Sequence, residues 1–241
     1  DPTAWIGAPE ICDGTTDQDC DGSIDEPSPT VAELRVSTTA MGLPEHTSVA
    51  WSGSEMGIAW KDQFEANVDV WFARVSPDGS VVGSASRITS DPYYSGQASL
   101  AWSGSEYGVA FLDTRSAGNY EVYFARISAT GAKVGSEARV TNDAGVSFWP
   151  SLAWGGSGWA VAWTDSRSGD ADIWVCFLDQ GGAKIGGDVQ VTTDPSEQGM
   201  ASLVRAGSGF GLAWEDSRNG NHEIYVGLID GGGSPAGSEI R

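Results

Sequence analysis

Ser99-Leu100-Ala101-Trp102, followed by the turn Ser103-Gly104-Ser105-Glu106, then Val109-Ala110-Phe111 and Asp113, is a unit that the chain writes four times. Its opening recurs as Ser48-Val49-Ala50-Trp51, Ser151-Leu152-Ala153-Trp154 and Ser202-Leu203-Val204-Arg205, at spacings of 51, 52 and 51 residues. A second segment recurs as Ile58-Ala59-Trp60, Val161-Ala162-Trp163 and Leu212-Ala213-Trp214, each with an Asp two residues on, at Asp62, Asp165 and Asp216. A third begins at Asp69-Val70-Trp71, Glu121-Val122-Tyr123, Asp172-Ile173-Trp174 and Glu223-Ile224-Tyr225. A short fourth follows a Gly-containing turn: Arg87-Ile88-Thr89, Arg139-Val140-Thr141 and Gln190-Val191-Thr192. A fixed period of this length marks a repeat architecture in which each unit is one supersecondary element.

Each unit therefore holds four strands of aromatic and β-branched residues punctuated by turns. Four-stranded units repeated radially are propeller blades. The expected fold is all-β, a four-bladed β-propeller over residues 31–241, and the 33 Gly and 11 Trp suit Gly-rich turns between short aromatic strands. The fourth repeat runs out at Glu239-Ile240-Arg241, within its outer strand, and Glu33-Leu34-Arg35-Val36-Ser37 matches that strand. An N-terminal strand over 33–37 is expected to complete the last blade and close the ring, which hides sheet edges.

The formal net charge is −20. Such a chain repels phosphate backbones and anionic headgroups, so nucleic acid is a poor partner. No apolar run approaches the ~18 residues that would span a bilayer, so membrane insertion is not expected. The chain starts at Asp1 without a signal-peptide pattern, which fits a mature or trimmed chain. Cys12 and Cys20 lie close together near the N-terminus and are expected to form a disulfide, with Cys176 a buried free thiol in a strand. That pairing implies an oxidising compartment, hence a secreted or cell-surface protein.

In a blade, the loop between the second and third strands opens on the same face as the blade-to-blade connection. Here that face varies from repeat to repeat. Its connections carry Glu45 and His46, then Tyr93, Tyr94 and Gln97, then Phe148 and Trp149, then Gln198 and Met200. Its inner loops carry Phe64, Asn67, Asn119, Tyr120 and His222. Rings beside amides and carboxylates on loops held by a rigid scaffold suit a sugar or peptide. His46, Phe64, Tyr93, Tyr94, Gln97, Tyr120, Phe148, Trp149 and His222 are the candidate ligand-binding residues. The recurring Asp113/Arg115, Asp165/Arg167 and Asp216/Arg218 pairs read as blade scaffolding, because a residue repeated in every blade serves the blade.

Residues 1–30 form an acidic leader. Asp17, Asp19 and Asp21, followed by Gly22, place alternate carboxylates on one turn, the arrangement that converges on a hard cation. Asp25 or Glu26 can close the site, with the Ser23 carbonyl between, and Asp13 adds a further oxygen. Calcium is the expected ion. The span Glu10 to Glu26 resembles the E-x-C-D-G-x-D-x-D-C-D-G-x-x-D-E metal-binding motif of bacterial secreted and surface proteins and is similar to thrombospondin type 3 calcium repeats. The blade pattern W-x-D-x-R-x-G, followed by D/E-I-Y, resembles repeats of bacterial extracellular propeller proteins, which implies architecture more than activity.

The function expected from these features is a non-catalytic, calcium-binding module for a glycan or an extracellular protein. The sequence offers no Ser/His/Asp context, only two His, and no S-x-D-x-G-x-x-W box, so it is not expected to be an enzyme. Two alternatives stand beside that reading. One is a propeller glycoside hydrolase of sialidase-like type. The other is a hemopexin-like use of the central channel, walled by Ser48, Ala50, Ser99, Ala101, Ser151, Ala153 and Ser202, to hold an ion or small ligand.

Overall fold

The computed structural model describes residues 34–37, 44–64 and 67–237, and every regular element among them is a strand. The leader, with Cys12, Cys20, Asp13, Asp17, Asp19, Asp21, Ser23, Asp25 and Glu26, lies outside the described residues. The repeats fall within a compact unit spanning Val36–Arg241.

Blade one comprises β1 (Glu45–Trp51), β2 (Met56–Phe64), β3 (Asn67–Val75) and β4 (Val81–Arg87). Blade two comprises β5 (Ser95–Trp102), β6 (Glu106–Ser116), β7 (Asn119–Ser128) and β8 (Lys133–Arg139). Blade three comprises β9 (Ser147–Trp154), β10 (Gly158–Asp165), β11 (Asp172–Asp179) and β12 (Lys184–Gln190), and blade four β13 (Gln198–Ala206), β14 (Gly209–Asp216) and β15 (Glu223–Ile229). Each sheet is an antiparallel meander in chain order. The expected four-bladed β-propeller is the fold.

Side chains that recur between repeats, a turn serine in two blades and an outer-edge threonine in three, help to explain why the meanders form. The Ser52 hydroxyl accepts the Glu55 amide at 2.9 Å and donates to the Glu55 carbonyl at 2.9 Å, locking the β1–β2 turn. Ser103 and Glu106 repeat this between β5 and β6. At the outer edge, Thr89 Oγ1 accepts the Val70 amide at 3.0 Å and donates to Asp69 at 2.9 Å. Thr141 with Glu121, and Thr192 with Asp172, make the same clasp. These groups are buried, so each bond satisfies polar atoms that would be costly to leave unpaired.

Blades are stitched to one another by two devices. Ser48, Ser99 and Ser151 accept the amides of Leu100, Leu152 and Leu203 in the next blade at 2.9, 3.0 and 2.9 Å. Three of the four serines assigned from sequence to the channel wall, Ser48, Ser99 and Ser151, therefore spend their hydroxyls between blades. Second, the aromatic at the start of the second strand in blades two and three packs over a glycine in the preceding blade. Tyr107 covers Gly57 so closely that a Cβ there would clash with its ring, and Trp159 covers Gly108 likewise, at 2.8 Å from such a Cβ.

The strand expected over 33–37 is not formed over 34–37, and Glu33 lies outside the described residues. Pro235 instead bridges Ile229, and the Ala236 amide donates to the Leu228 carbonyl at 2.7 Å. Lys184 holds the same register against Leu178 in blade three. Residues just past the turn thus begin the outer strand of blade four, since a short loop costs less closure entropy than bringing in a distant segment.

Candidate active site

The variable face is shaped by one distortion repeated in all four inner strands. His46, Gln97, Trp149 and Met200 occupy the same position in their blades and adopt φ of 52°, 50°, 55° and 53°. Non-glycine residues rarely enter this left-handed region, at a cost of about 1–3 kcal/mol each. Pairing slips by a residue at the same point in each inner strand. The bulges turn these side chains to the mouth of the channel, where they line a cavity of about 250 Å³ with Thr47, Ala98, Pro150 and Ala201. Gln97 Oε1 accepts the Trp149 amide at 2.9 Å, and the His46 and Trp149 rings meet edge to face at 5.6 Å.

Two further cavities open beside this mouth. One of about 380 Å³, between blades two and three, is walled by Tyr94, Gln97, Leu112, Tyr120, Val146 and Phe148. The other, about 150 Å³ between blades three and four, brings Phe148, Trp149 and Met200 together with Glu197, Gln198, Glu215 and His222. His222 Nδ1 lies 3.6 Å from Glu215 Oε2. Gln198 is buried and its Oε1 has no hydrogen-bond partner, whereas Ser95 and Ser147 at the same place in blades two and three donate to Asp113 and Asp165. A further cavity, about 460 Å³, opens among the glycine-rich turns beside Trp159, Phe177, Ile185 and Phe210, and none of the described residues that line it is ionisable. It cannot perform acid–base chemistry.

Of the residues singled out from sequence, His46, Gln97 and Trp149 meet at the channel mouth, and Tyr94, Tyr120 and Phe148 line the adjacent cavity. His222 joins Phe148 and Trp149 in the third. Tyr93 lines none of these and is exposed. Phe64 ends β2 opposite Asn67, and its side chain lies outside the described residues.

The repeated Asp–Arg pairs are structural. Arg115, Arg167 and Arg218 each grip the buried carboxylate two residues upstream, with Nε–Oδ1 at 2.9 Å in every case. Their guanidinium planes lie over Tyr123, Trp174 and Tyr225 at 4.6, 4.6 and 4.3 Å. Burial works against ionisation of Asp165, but hydrogen bonds from Arg167, Trp163 and Ser147 hold its carboxyl below the usual range. Asp216 is likewise held low, burial being outweighed by Arg218 and Trp214. A carboxylate kept charged this way is a poor proton donor.

No protein-family model matches this sequence, and no curated protein does. Solved structures match its fold. An endo-arabinase from Bacteroides thetaiotaomicron superposes with a TM-score of 0.53 at 12% identity, over 76% of this chain and 74% of that one. A thermostable family-43 glycoside hydrolase gives 0.53 at 12%, over 81% and 74%. An α-L-arabinofuranosidase from Lactobacillus brevis gives 0.52 at 8%, over 78% and 68%. At these identities the likeness is one of fold.

These neighbours correct the expectation of a non-catalytic module that is not an enzyme. That expectation leaned on a missing Ser/His/Asp triad and a missing aspartate box. Glycoside chemistry needs neither, only two suitably placed carboxyl groups. The variable face supplies Glu197 and Glu215 in one cavity, and sequence reasoning passed over both. A usable signal existed. Glu215 stands where the other repeats carry Lys61, Leu112 and Thr164, immediately before the blade Asp, so it departs from the repeat at a position aimed at the face.

Proposed function

We propose that this protein is a glycoside hydrolase acting on a neutral glycan, with Glu197 and Glu215 as its paired carboxyl groups. The observation that carries the reading is the cavity that gathers both with the rings of Phe148 and Trp149. Hydrolysis needs one carboxyl to protonate the leaving oxygen while its partner carboxylate assists attack on the anomeric carbon. The aromatic faces suit the apolar faces of sugar rings. His222, beside Glu215, is placed to orient that carboxylate. Among the described residues the arginines Arg115, Arg167 and Arg218 are tied to their own blades rather than gathered on the face, which favours an uncharged sugar over a sialic acid. Pentose glycans, named for two of the fold neighbours, are the first class to assay.

The test is turnover of an aryl-glycoside panel including arabinosides and xylosides. Glu215→Gln and Glu197→Gln are each expected to lower kcat by about 10²–10⁴-fold, the usual worth of a placed general acid or base. Absence of turnover across the panel and on arabinan and xylan, or full activity in both variants, overturns the proposal.

The leader belongs to the same proposal on its sequence motif: calcium held by Asp17, Asp19 and Asp21 with Asp25 or Glu26, beside a Cys12–Cys20 disulfide, in a protein working outside the cytosol. Chelation is expected to expose the leader to protease while the propeller's unfolding temperature stays put. An unchanged cleavage pattern across residues 17–25 counts against the ion.

A further inference from the structure

The three hydrophobic clusters of the core each straddle one seam, between blades one and two, two and three, and three and four. Strand packing follows suit, β1 on β5, β5 on β9 and β9 on β13. Among the described residues no cluster joins blade four to blade one.

The consequence is visible residue by residue. On the face each blade turns to its successor, Val70, Val122 and Ile173 are 0% exposed, whereas Ile224 at the same place in blade four is 59% exposed. Val204, Val226 and Leu228 share that open face. On the face each blade turns to its predecessor, Leu100, Leu152 and Leu203 are at most 7% exposed, whereas Val49 in blade one is 56% exposed, with Trp51 beside it. The small-residue socket is open too. A Cβ at Gly57 or Gly108 would strike the next blade's ring, but at Gly211 it would meet nothing nearer than 3.7 Å, and that from its own blade. Among the described residues Ser202 does not receive the amide bond that Ser48, Ser99 and Ser151 take from the following blade. A contiguous exposed apolar patch marks an interaction surface.

We infer that the open face of blade four is a docking surface for the open face of blade one in a second copy of this chain. The two surfaces are the two halves of a seam this sequence makes three times internally, with the same residue types in the same register, so each already fits the other's chemistry. Within one chain both are exposed at once. Two copies that exchange these faces reciprocally about a two-fold axis cover both faces of each and form a closed pair, whereas a one-way head-to-tail contact would leave a face open for further growth. The chain's net charge of −20 opposes the approach of two copies, so screening salt strengthens the association.

The test is the mass of the full chain in solution by light scattering across protein and salt concentration. A dimer that strengthens with salt is expected. Ile224→Lys and Val49→Lys alter exposed side chains and should leave the circular dichroism of the folded blades unchanged while each alone gives a monomer. Mixing the two variants leaves one intact seam and should restore a dimer. A wild-type monomer at every concentration, a dimer untouched by either substitution, or failure of the mixture to re-form dimers overturns the proposal. So does a Val49→Cys/Ser202→Cys pair that cross-links within one chain rather than between two.

Discussion

Arg167 holds Asp165 by two parallel bonds, Nε–Oδ1 at 2.9 Å and Nη2–Oδ2 at 2.7 Å, while its own backbone amide donates to Oδ1 at 2.9 Å. The same carboxylate accepts the Trp163 indole at 2.7 Å and the Ser147 hydroxyl at 2.8 Å. One buried side chain thus fixes the end of β10, the following turn and the start of β9. Asp165→Asn keeps the shape but leaves Arg167, only 12% exposed, beside a neutral side chain with Asp188, 2.8 Å from Nη1, as its remaining carboxylate partner. A loss of about 3–5 kcal/mol is expected from breaking a buried pair. Urea unfolding at neutral pH measures it, and a loss below about 1 kcal/mol would show that solvent or Asp188 compensates.

The same carboxylates set an acid limit. Burial opposes ionisation of Asp165 and Asp216, but hydrogen bonds led by Arg167 and Arg218 hold both carboxyls below the usual aspartate range. Their contribution is present above the unfolded value and fades as pH falls through the lower folded value. Stability should therefore be flat with respect to these groups above about pH 5 and decline below about pH 4, where the unfolded chain takes up protons first. Unfolding temperature against pH checks this, and Asp165→Asn should shallow the acid limb.

Gly57 is a packing requirement. Any side chain there would clash with Tyr107 Cε1 and meet Phe72 Cε2 at 2.9 Å, both buried rings. Gly57→Val should cost about 1–3 kcal/mol by overpacking. Adding Tyr107→Ala should recover part of that loss, since the two sites share one contact. Additive losses in the double variant would mean that the strain lies elsewhere.

Cys176 is buried in blade three, and burial pushes its thiol pKa up to about 12. It should resist alkylation in the folded protein at mildly alkaline pH, because the thiolate is the reactive form. Peptide-resolved labelling followed by mass spectrometry should show Cys176 reacting only at the rate of unfolding. Rapid labelling of the native protein would contradict the packing of β11 against β10.

Much of the fold was legible because the repeat is a local signal. Ser-x-Ala-Trp, the Ser-Gly turn, the blade Asp and the Asp/Glu–Thr clasp recur in fixed order. Each specifies a strand, a turn or a strand-to-strand bond within about one blade of chain. The site was legible only in part. His46, Gln97 and Trp149 drew attention as variable residues on one face, yet nothing in the chain announced that each would sit on a bulge with positive φ. Glu197 and Glu215 were hidden because they belong to adjoining strands, β14 and the approach to β13, that pairing alone brings to one cavity.

Sequence by itself determined the blades, their number and the turns between them, since hydrophobic period and turn chemistry act over a few residues. Tertiary structure alone decided what each blade face meets. Ile173 and Ile224 occupy the same place in nearly the same pattern, yet one is 0% and the other 59% exposed. The physical reason is that burial belongs to a pair of surfaces. A strand's own residues set which side is apolar, and only a neighbouring blade removes that side from water.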